Sequence, residues 1–321
     1  MDHQVLVCVT TCKRIDTIKL YLLPYIEYCN QNSNTHFLLA QDGNEASYVD
    51  FCNEFDVPMI SSDEREGVGL SKNRVLTQFP DYDHYFFLDD DVELYDSNVF
   101  ELVIKTALDL QLDHLCITPF HQTLKEFKLN DLTIQQGNKG GGYFNYFSGK
   151  GLKTVGGWHD EFAKWKRYGH SEHSMRYINA ELATYGFNSI LEATRMVILH
   201  DPVHVTKPLE DHNENEFSLP EEKIMNQKLK FYPVNTISPF HFNGFEMGTN
   251  EKVTAFLAEN KNRYPLSTGK DNKKAMSSYY FFLSQNSKSR FGSLKYLFLT
   301  VLKDFKNPQF KHWVKVKLKS A

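Results

Sequence analysis

The chain has 321 residues, 41% of them hydrophobic and 14% aromatic, and a net charge of -4 at neutral pH. That composition marks a soluble globular protein with a large buried core, organised as one big domain or two smaller ones. The slight negative charge gives no overall pull toward nucleic acid, so nucleic-acid binding is not expected.

The five cysteines, Cys8, Cys12, Cys29, Cys52 and Cys116, are odd in number and lack metal-type spacing, as expected of reduced thiols in a cytosolic protein. Met1-Asp2-His3-Gln4 carries no basic region, and no apolar run approaches the roughly 18 residues of a spanning helix. Neither secretion nor a membrane span is expected.

In chain order, Val5–Val9 is a fully apolar run that reads as a buried strand ending at Thr10, Thr11, Cys12, Lys13 and Arg14. Asp16 can cap a helix with Ile18, Leu22, Tyr25, Ile26 and Cys29 on one face, bent at Pro24. Phe37–Ala40 is the next strand and ends at Gln41-Asp42-Gly43-Asn44. A helix from Tyr48 to Phe55 follows, then a short strand over Val57–Ile60 whose proline suggests a place toward an edge. Gly67-Val68-Gly69-Leu70 leads into Ser71, read as the cap of a helix carrying Lys72, Asn73 and Arg74.

The run His84–Leu88 is short, continuous and aromatic, as a strand buried on both faces would be, and it delivers three acids, Asp89, Asp90 and Asp91. Adjacent carboxylates repel one another and lose hydration, so a cation is expected there, most simply a divalent metal with oxygen ligands. Asp96-Ser97 can cap a helix through Leu110, and Leu115–Thr118 is a further strand. Alternating strands and helices with short links imply right-handed crossovers and a parallel sheet. Thr10, Thr11, Asp42 and the three acids then share its carboxyl edge, where such sheets bind ligands. Residues 125–136 alternate weakly, as in a hairpin or an irregular connection, and the glycine-rich Gly137–Gly142 reads as a flexible loop or tight turn in preference to a phosphate cradle, since no Lys-Ser/Thr follows.

Taken together and in this order, the motifs resemble those of the inverting family 2 glycosyltransferases, whose nucleotide-sugar-binding fold is called GT-A. The resemblance covers about the first 200 residues. Val9-Thr10-Thr11-Cys12-Lys13-Arg14 is similar to the family's first strand and loop. Leu38–Asn44 is similar to its second strand, Gly67–Arg74 to its glycine-then-Ala-Arg-Asn segment, and Phe87–Asp91 to its DxD. The implied fold is α/β, a Rossmann-like GT-A domain with a mostly parallel central sheet. The implied donor site comprises Thr10, Thr11, Arg14, Asp42, Lys72, Asn73, Arg74, Asp89 and Asp90, with Asp91 and Asp89 as ligands of Mn²⁺ or Mg²⁺. Such a cation would stabilise the nucleoside diphosphate as it leaves.

The acceptor half opens on the aromatic stretch Tyr143–Lys150. Val155-Gly156-Gly157-Trp158-His159-Asp160-Glu161-Phe162 then looks like the family's Gly-Gly-Phe-Asp-Glu segment, with His159 inserted or shifted. The resemblance puts Gly157 and Trp158 against the donor sugar, while a buried tryptophan is the plainer reading. Gly169-His170-Ser171-Glu172-His173 stands where the family carries a Glu-Asp pair at the head of a helix running toward Gly186. An inverting transfer needs a group that takes the acceptor hydroxyl proton. Glu172, His173 and Asp160 are the candidates in that order, and a helix-start acid such as Glu172 is also favoured by the macrodipole alone. His200, after the strand Arg195–Leu199, matches a third metal ligand found in some members of the fold, and the acidic Glu210–Glu216 reads as a lid.

From Lys288 to Lys319 nine Lys or Arg face one acid, Asp304, while Leu294, Leu297, Phe298, Val301, Leu302 and Phe305 recur at helical spacing. This reads as one basic amphipathic helix, which either packs on the catalytic domain or docks on an anionic membrane. The expected organisation is a GT-A catalytic domain over 1–255, with a nucleotide-binding half of about 1–120 and an acceptor half of about 121–255. A helical, basic extension follows over 256–321. The expected protein is a cytoplasmic glycosyltransferase, peripheral on the inner face of the cell membrane. It moves a hexosyl or N-acetylhexosaminyl group from a nucleotide donor, UDP first, to a glycan or glycolipid. The alternatives are a non-catalytic nucleotide- or sugar-binding protein on the same fold, kept open by His173, and a nucleotidyltransferase.

Overall fold

A computed structural model of the chain describes residues 3–117, 123–137, 142–165, 169–200, 231–234, 239–248, 250–261, 273–286 and 289–319. The apolar runs read from the sequence become β1 (Val5–Thr11), β2 (Thr35–Gln41), β3 (Met59–Ser62) and β4 (His84–Asp89). With β6 (His114–Ile117), β9 (Phe144–Ser148) and β12 (Phe240–Phe242) they form one seven-stranded sheet in the order β12-β3-β2-β1-β4-β9-β6. The pairs β3·β2, β2·β1 and β1·β4 are parallel, whereas β9 is antiparallel to both β4 and β6. Thus β6 runs with β4, and only β9 and β12 oppose the other strands. The α/β class and mostly parallel sheet expected from the sequence are therefore present.

Alternation along β1 and β4 divides the core. Val7, Val9, Phe86 and Leu88 face one way, onto α1 (Ile15–Tyr21), α2 (Leu23–Gln31), α3 (Ala46–Phe55) and α5 (Asn98–Leu110). Leu6, Cys8, Tyr85 and Phe87 face the other, onto α4 (Val68–Gln78) and α6 (Gly149–Val155), and with them pack Trp158 and Tyr177. Each fully buried Leu or Phe contributes about 1.5–3 kcal/mol, so these two layers fix the register of the sheet. In that register Thr10 lies beside Ala40 on one side and Asp89 on the other.

Several expected elements are redrawn. The helix expected from Asp16 is two helices meeting at Leu22, with Pro24 in the first turn of the second, where its missing N–H costs nothing. The helix carrying Lys72 starts one turn before Ser71, because Gly67 at φ +102 makes the turn that opens it. The strand expected over Val57–Ile60 is shifted to Met59–Ser62 and is second from the edge, since β12 covers it. Residues 125–137 do form a hairpin, β7 (Lys125–Leu129) and β8 (Leu132–Gly137), to which β10 (Phe187–Ile190) adds. The short pair β5 (Val92–Leu94) and β11 (Val197–Leu199) lies directly behind the acids. The remaining helices before β10 are α7 (Asp160–Trp165) and α8 (Gly169–Asn179), the latter ending well before Gly186. The greater part of the glycine-rich loop (138–141) and the acidic Glu210–Glu216 segment lie outside the described residues.

At the carboxyl end, α9 (Glu251–Glu259) packs on α2 through the buried Val253 and Leu257 and spans the boundary expected at 255. Next, α10 (Lys273–Asn286) packs on the 3-10 turn Leu191–Arg195 and on α11 (Arg290–Lys303). The Ser277 hydroxyl donates to the Thr300 carbonyl at 2.9 Å across that pair. The single helix expected over 288–319 is broken. The Asn307 side chain caps α12 (Pro308–Lys319) by accepting the Phe310 N–H at 2.8 Å, and Pro308 occupies its first position. One face of α11 meets α10, while Phe291, Leu294, Phe298 and Leu302 on another are 66–82% exposed, as is Phe305 just beyond. Among the described residues no helix is long and apolar enough to cross a membrane.

His114 on β6 is 2% exposed and stacks on Phe147 with ring centroids 4.4 Å apart. Its Nδ1 lies 2.9 Å from the Tyr146 carbonyl, which only accepts, so the ring is neutral with its proton on Nδ1. Burial lowers its pKa to about 4, from roughly 6.5 in an unfolded chain. A depressed histidine pKa means that the unfolded chain binds the extra proton first. The stability this residue contributes is thus full above about pH 6.5 and is lost as pH falls toward 4. The difference in melting temperature between the wild type and His114→Gln should shrink over that window. A difference independent of pH would contradict the assignment.

Candidate active site

The site is built where β1, β2 and β4 end together. Three consecutive acids leave β4, and each is met differently. Asp90 and Asp91 are both 2% exposed. Asp90 accepts a hydrogen bond from the Thr11 hydroxyl at 2.6 Å and an ion pair from Arg14 Nη2 at 2.5 Å, while Arg14 Nη1 reaches Asp91 Oδ2 at 2.8 Å. Burial pushes the Asp90 pKa up and Arg14 pulls it back. Burial works against the Arg14 charge, but Asp90, Asp91 and Asp89 together raise the Arg14 pKa above its usual value. Asp89 has its electrostatic partner on the opposite face of the sheet, in Lys72 of α4. Burial raises the Asp89 pKa and lowers that of Lys72, and the charge of each opposes the shift of the other.

Lys72 is fully buried, with its Nζ 3.3 Å from His170 Nε2 and 5.2 Å and 5.7 Å from the Trp158 and Phe87 ring centroids. Its neighbours also turn inward. Asn73 clamps the Trp158 backbone from both sides, accepting the Trp158 N–H and donating to the Trp158 carbonyl, each at 2.7 Å. Gly157 is required beside this clamp, because a Cβ there would come 2.3 Å from Asn73 Oδ1. Arg74 is 1% exposed and pairs with Glu66. Asp42 accepts the backbone N–H groups of Glu66 and Gly67 at 2.7–3.0 Å, so it fixes the turn that opens α4. Thr10 donates across the strand pair to the Leu88 carbonyl at 3.1 Å.

The described residues of 156–176, in the expected acceptor half, are packed tightly. Trp158 is 1% exposed, stacks on His173 with ring centroids 4.3 Å apart, and takes the edges of Phe87 and Phe147. Glu172 and Arg176 form a buried two-point ion pair, 2.8 Å and 2.9 Å, and Arg176 also donates to the Val155 carbonyl at 2.8 Å. His173 donates from Nε2 to the Gly156 carbonyl at 3.0 Å, which leaves Nδ1 as a buried acceptor with no hydrogen-bond partner among the described residues. Burial, then Arg176, hold its pKa well below the usual histidine value. Asp160 is the more accessible acid, with a side chain 29% exposed. It accepts the Tyr232 hydroxyl at 2.5 Å and has His159 Nδ1 at 3.4 Å.

A divalent cation was expected on Asp91, Asp89 and His200. Among the described residues no group of three or more candidate ligands converges. The His200 backbone N–H donates to the Asp91 carbonyl at 3.0 Å, but its ring stacks on Tyr21 and its Nε2 lies 2.8 Å from Glu93. Asp91 Oδ1, by contrast, is buried with no hydrogen-bond partner among the described residues. An orphaned carboxylate oxygen beside a second carboxylate fits a hard cation, since Mg²⁺-type ions are held by one or two carboxylates plus substrate phosphate oxygens. Sequence reading missed Tyr48, whose hydroxyl bonds the Thr11 hydroxyl at 2.9 Å and accepts the Arg14 N–H at 2.8 Å. It also missed Tyr232, Glu93 and His170. Only His170 had a signal, its place two residues before Glu172. A cleft of about 750 Å³ near His3, His84 and Lys150 lies at the amino edge of the sheet, away from these groups.

No family model matches the chain, and no curated protein matches it. Among solved structures it is similar to the mannosyltransferase PcManGT from Pyrobaculum calidifontis, solved in complex with GDP-Man and Mn²⁺. The identity is 13% and the TM-score 0.43, over 59% of this chain and 54% of that one, about half its length. It is also similar to residues 1–349 of TarS from S. aureus, at 11% identity and TM-score 0.43 over 97% of this chain and 91% of that one. At such values the likeness carries no argument about donor, metal or residue roles, and the site is read from its own side chains.

Glu172 and Arg176 supply the prediction here. Removing one partner of a buried ion pair leaves the other charge uncompensated, which costs about 3–5 kcal/mol. Glu172→Ala should therefore lower the denaturant midpoint strongly. A midpoint within experimental error of the wild type would show that the pair does not hold α8 in place.

Proposed function

We propose that the chain is a metal-dependent, inverting glycosyltransferase that moves a hexosyl or N-acetylhexosaminyl group from a nucleotide donor, UDP in the first instance. The acceptor is a glycan or glycolipid of polysaccharide or cell-surface glycan synthesis. The observation that carries this reading is the delivery of three acids to the carboxyl edge of the sheet, with one buried Asp91 oxygen that has no hydrogen-bond partner among the described residues. Asp91 with Asp90, in place of the expected Asp89, whose charge partner is Lys72 on the other face, would hold Mn²⁺ or Mg²⁺. Held by these residues, a divalent cation would supply positive charge against the charge that builds on the departing diphosphate.

The chain's own residues do the rest. Thr11 orients Asp90 through its hydroxyl. Lys72 keeps positive charge beside Asp89. Asp42, Asn73 and Gly157 set the backbone on which the donor rests. For the base, the geometry favours Asp160. Its side chain is 29% exposed, against 3% for the ion-paired Glu172, and the Tyr232 hydroxyl fixes its orientation. Asp160 would take the proton from the acceptor hydroxyl as that oxygen attacks the anomeric carbon and the carbon–phosphate-oxygen bond breaks. A second reading, binding without transfer, draws on the burial of both Glu172 and His173.

Transfer and binding assays with a panel of nucleotide sugars separate the two. Asp91→Asn should weaken nucleotide binding in Mn²⁺ but not in chelator, and Asp160→Asn should lower kcat by about 10²–10⁴-fold with donor affinity kept. Equal losses with and without metal would overturn the metal role. Wild-type protein that binds a nucleotide sugar but transfers it to no acceptor would support binding alone.

The catalytic unit is proposed to end after α9, with a helical extension beyond it. That extension would make the protein peripheral on the inner face of the cell membrane. The exposed apolar stripe of α11 is flanked by exposed Arg290, Lys295, Lys303 and Lys306, with Lys311 and Lys315 following on α12. A second copy would bring like charges together, whereas an anionic bilayer accepts both the charge and the apolar area, at about 1 kcal/mol per basic residue. The wild type should co-sediment with vesicles containing phosphatidylserine and be released by high salt, and Phe298→Glu with Leu302→Glu should abolish binding without unfolding the chain. Salt-insensitive self-association that these changes disrupt would assign the face to a second copy instead.

A further inference from the structure

Two adjacent carboxylates with side chains 0% and 3% exposed cannot both remain ionised inside a protein without a cation in contact. In this structure that cation is Arg14, which bridges Asp90 and Asp91 by two ion pairs. We infer that Arg14 is a displaceable internal counter-ion that competes with the divalent cation for Asp90 and Asp91, and so restrains metal binding until the nucleotide arrives. The inference rests on the metal-dependent reading proposed above and concerns the regulation of that same site.

Three features support exchange rather than a fixed structural contact. The Arg14 side chain is 35% exposed, unlike the two carboxylates it bridges, so it lies at the edge of the packed core and not inside it. Its backbone is pinned independently, through the Arg14 N–H bonded to the Tyr48 hydroxyl at 2.8 Å and a left-handed Lys13 at φ +55. The side chain can therefore swing while the loop stays. Asp90 is also held without Arg14, since Thr11 bonds its Oδ2 at 2.6 Å, and Asp91 Oδ1, with no hydrogen-bond partner among the described residues, is open to an incoming ion. By contrast Lys72, fully buried behind Trp158 and Phe87, cannot exchange in this way.

A guanidinium and a divalent ion repel one another across a few ångströms and need the same oxygens, so one enters as the other leaves. A released Arg14 is left without a partner in the metal-only state. A diphosphate offers it pairs of anionic oxygens that the planar guanidinium can meet two at a time. Metal and nucleotide should therefore each increase the affinity for the other, by an equal factor.

The test is titration of Mn²⁺ followed by the electron paramagnetic resonance signal of the free ion, with and without UDP, for the wild type, Arg14→Gln and Arg14→Lys. Arg14→Gln should bind Mn²⁺ alone more tightly than the wild type, on the order of tenfold or more, and should lose most of the mutual enhancement with UDP. Arg14→Lys, which keeps one point charge, should fall between them. Added Mn²⁺ should raise the melting temperature of Arg14→Gln more than that of the wild type. If the wild type binds Mn²⁺ with UDP while Arg14→Gln binds the bare ion no better, Arg14 is not the competitor and this inference alone fails. If no protein binds Mn²⁺ even with UDP, the metal-dependent reading fails and takes the inference with it. Arg14→Gln that stays unfolded in saturating Mn²⁺ would make Arg14 a structural support and overturn the inference, whereas folding restored by Mn²⁺ supports it.

Discussion

The organisation of this chain depends on the cost of placing three carboxylates at the end of a buried strand. An aromatic strand between two others has no water at its sides, so acids at its end must find positive charge or lose their own. The fold meets that need from both faces of the sheet. Arg14, from the loop after β1, serves Asp90 and Asp91, while Lys72, from α4, serves Asp89. These two cations differ in accessibility, and that difference has functional meaning. One is embedded among rings and belongs to the architecture. The other, with a side chain 35% exposed, neutralises the acids by the contact inferred above to be exchangeable.

Much of this was legible in the sequence, because period and punctuation carry it. The apolar runs of β1, β2 and β4 are buried on both faces, so they read as strands without reference to any partner. Their common direction follows from the intervening helices, and with it the shared edge for Thr10, Thr11, Asp42 and Asp89. The breaks were harder. That Leu22 divides two helices and that α12 restarts at Pro308 depends on local capping, which composition over a long window averages away. β12 and its cover over β3 were not legible, since a three-residue strand has no period to detect.

Side-chain roles were the least legible part, and α4 shows why. Lys72, Asn73 and Arg74 are polar residues on a helix at a ligand edge, which in sequence reads as a surface offered to phosphate. Yet α4 lies between the sheet and the 156–163 segment, so each of these residues faces protein. Lys72 meets rings and His170, Asn73 meets the Trp158 backbone, and Arg74 meets Glu66. Glu172 is similar. A carboxylate at a helix start looks catalytic until Arg176, one turn on and itself buried, claims both of its oxygens. Such pairs are set by what packs over the helix, and this is absent from the helix's own sequence.

The two ends of the molecule then pose complementary problems. At β4 the unmet requirement is polar, since a buried Asp91 oxygen has no hydrogen-bond donor among the described residues, and leaving such an atom unpaired costs about 1–3 kcal/mol. At α11 the unmet requirement is apolar, in large side chains at a spacing that forms one stripe, held outward because α10 occupies the opposite face. Neither improves the stability of the isolated chain, and both lie where the fold already supplies the complement to a partner. Around Asp91 this is a frame of fixed carboxylates and hydroxyls, and around Phe298 it is a border of lysines. On the function proposed above, such features are halves of contacts that binding would complete, one with a small cation and its anionic ligand and the other with a membrane surface.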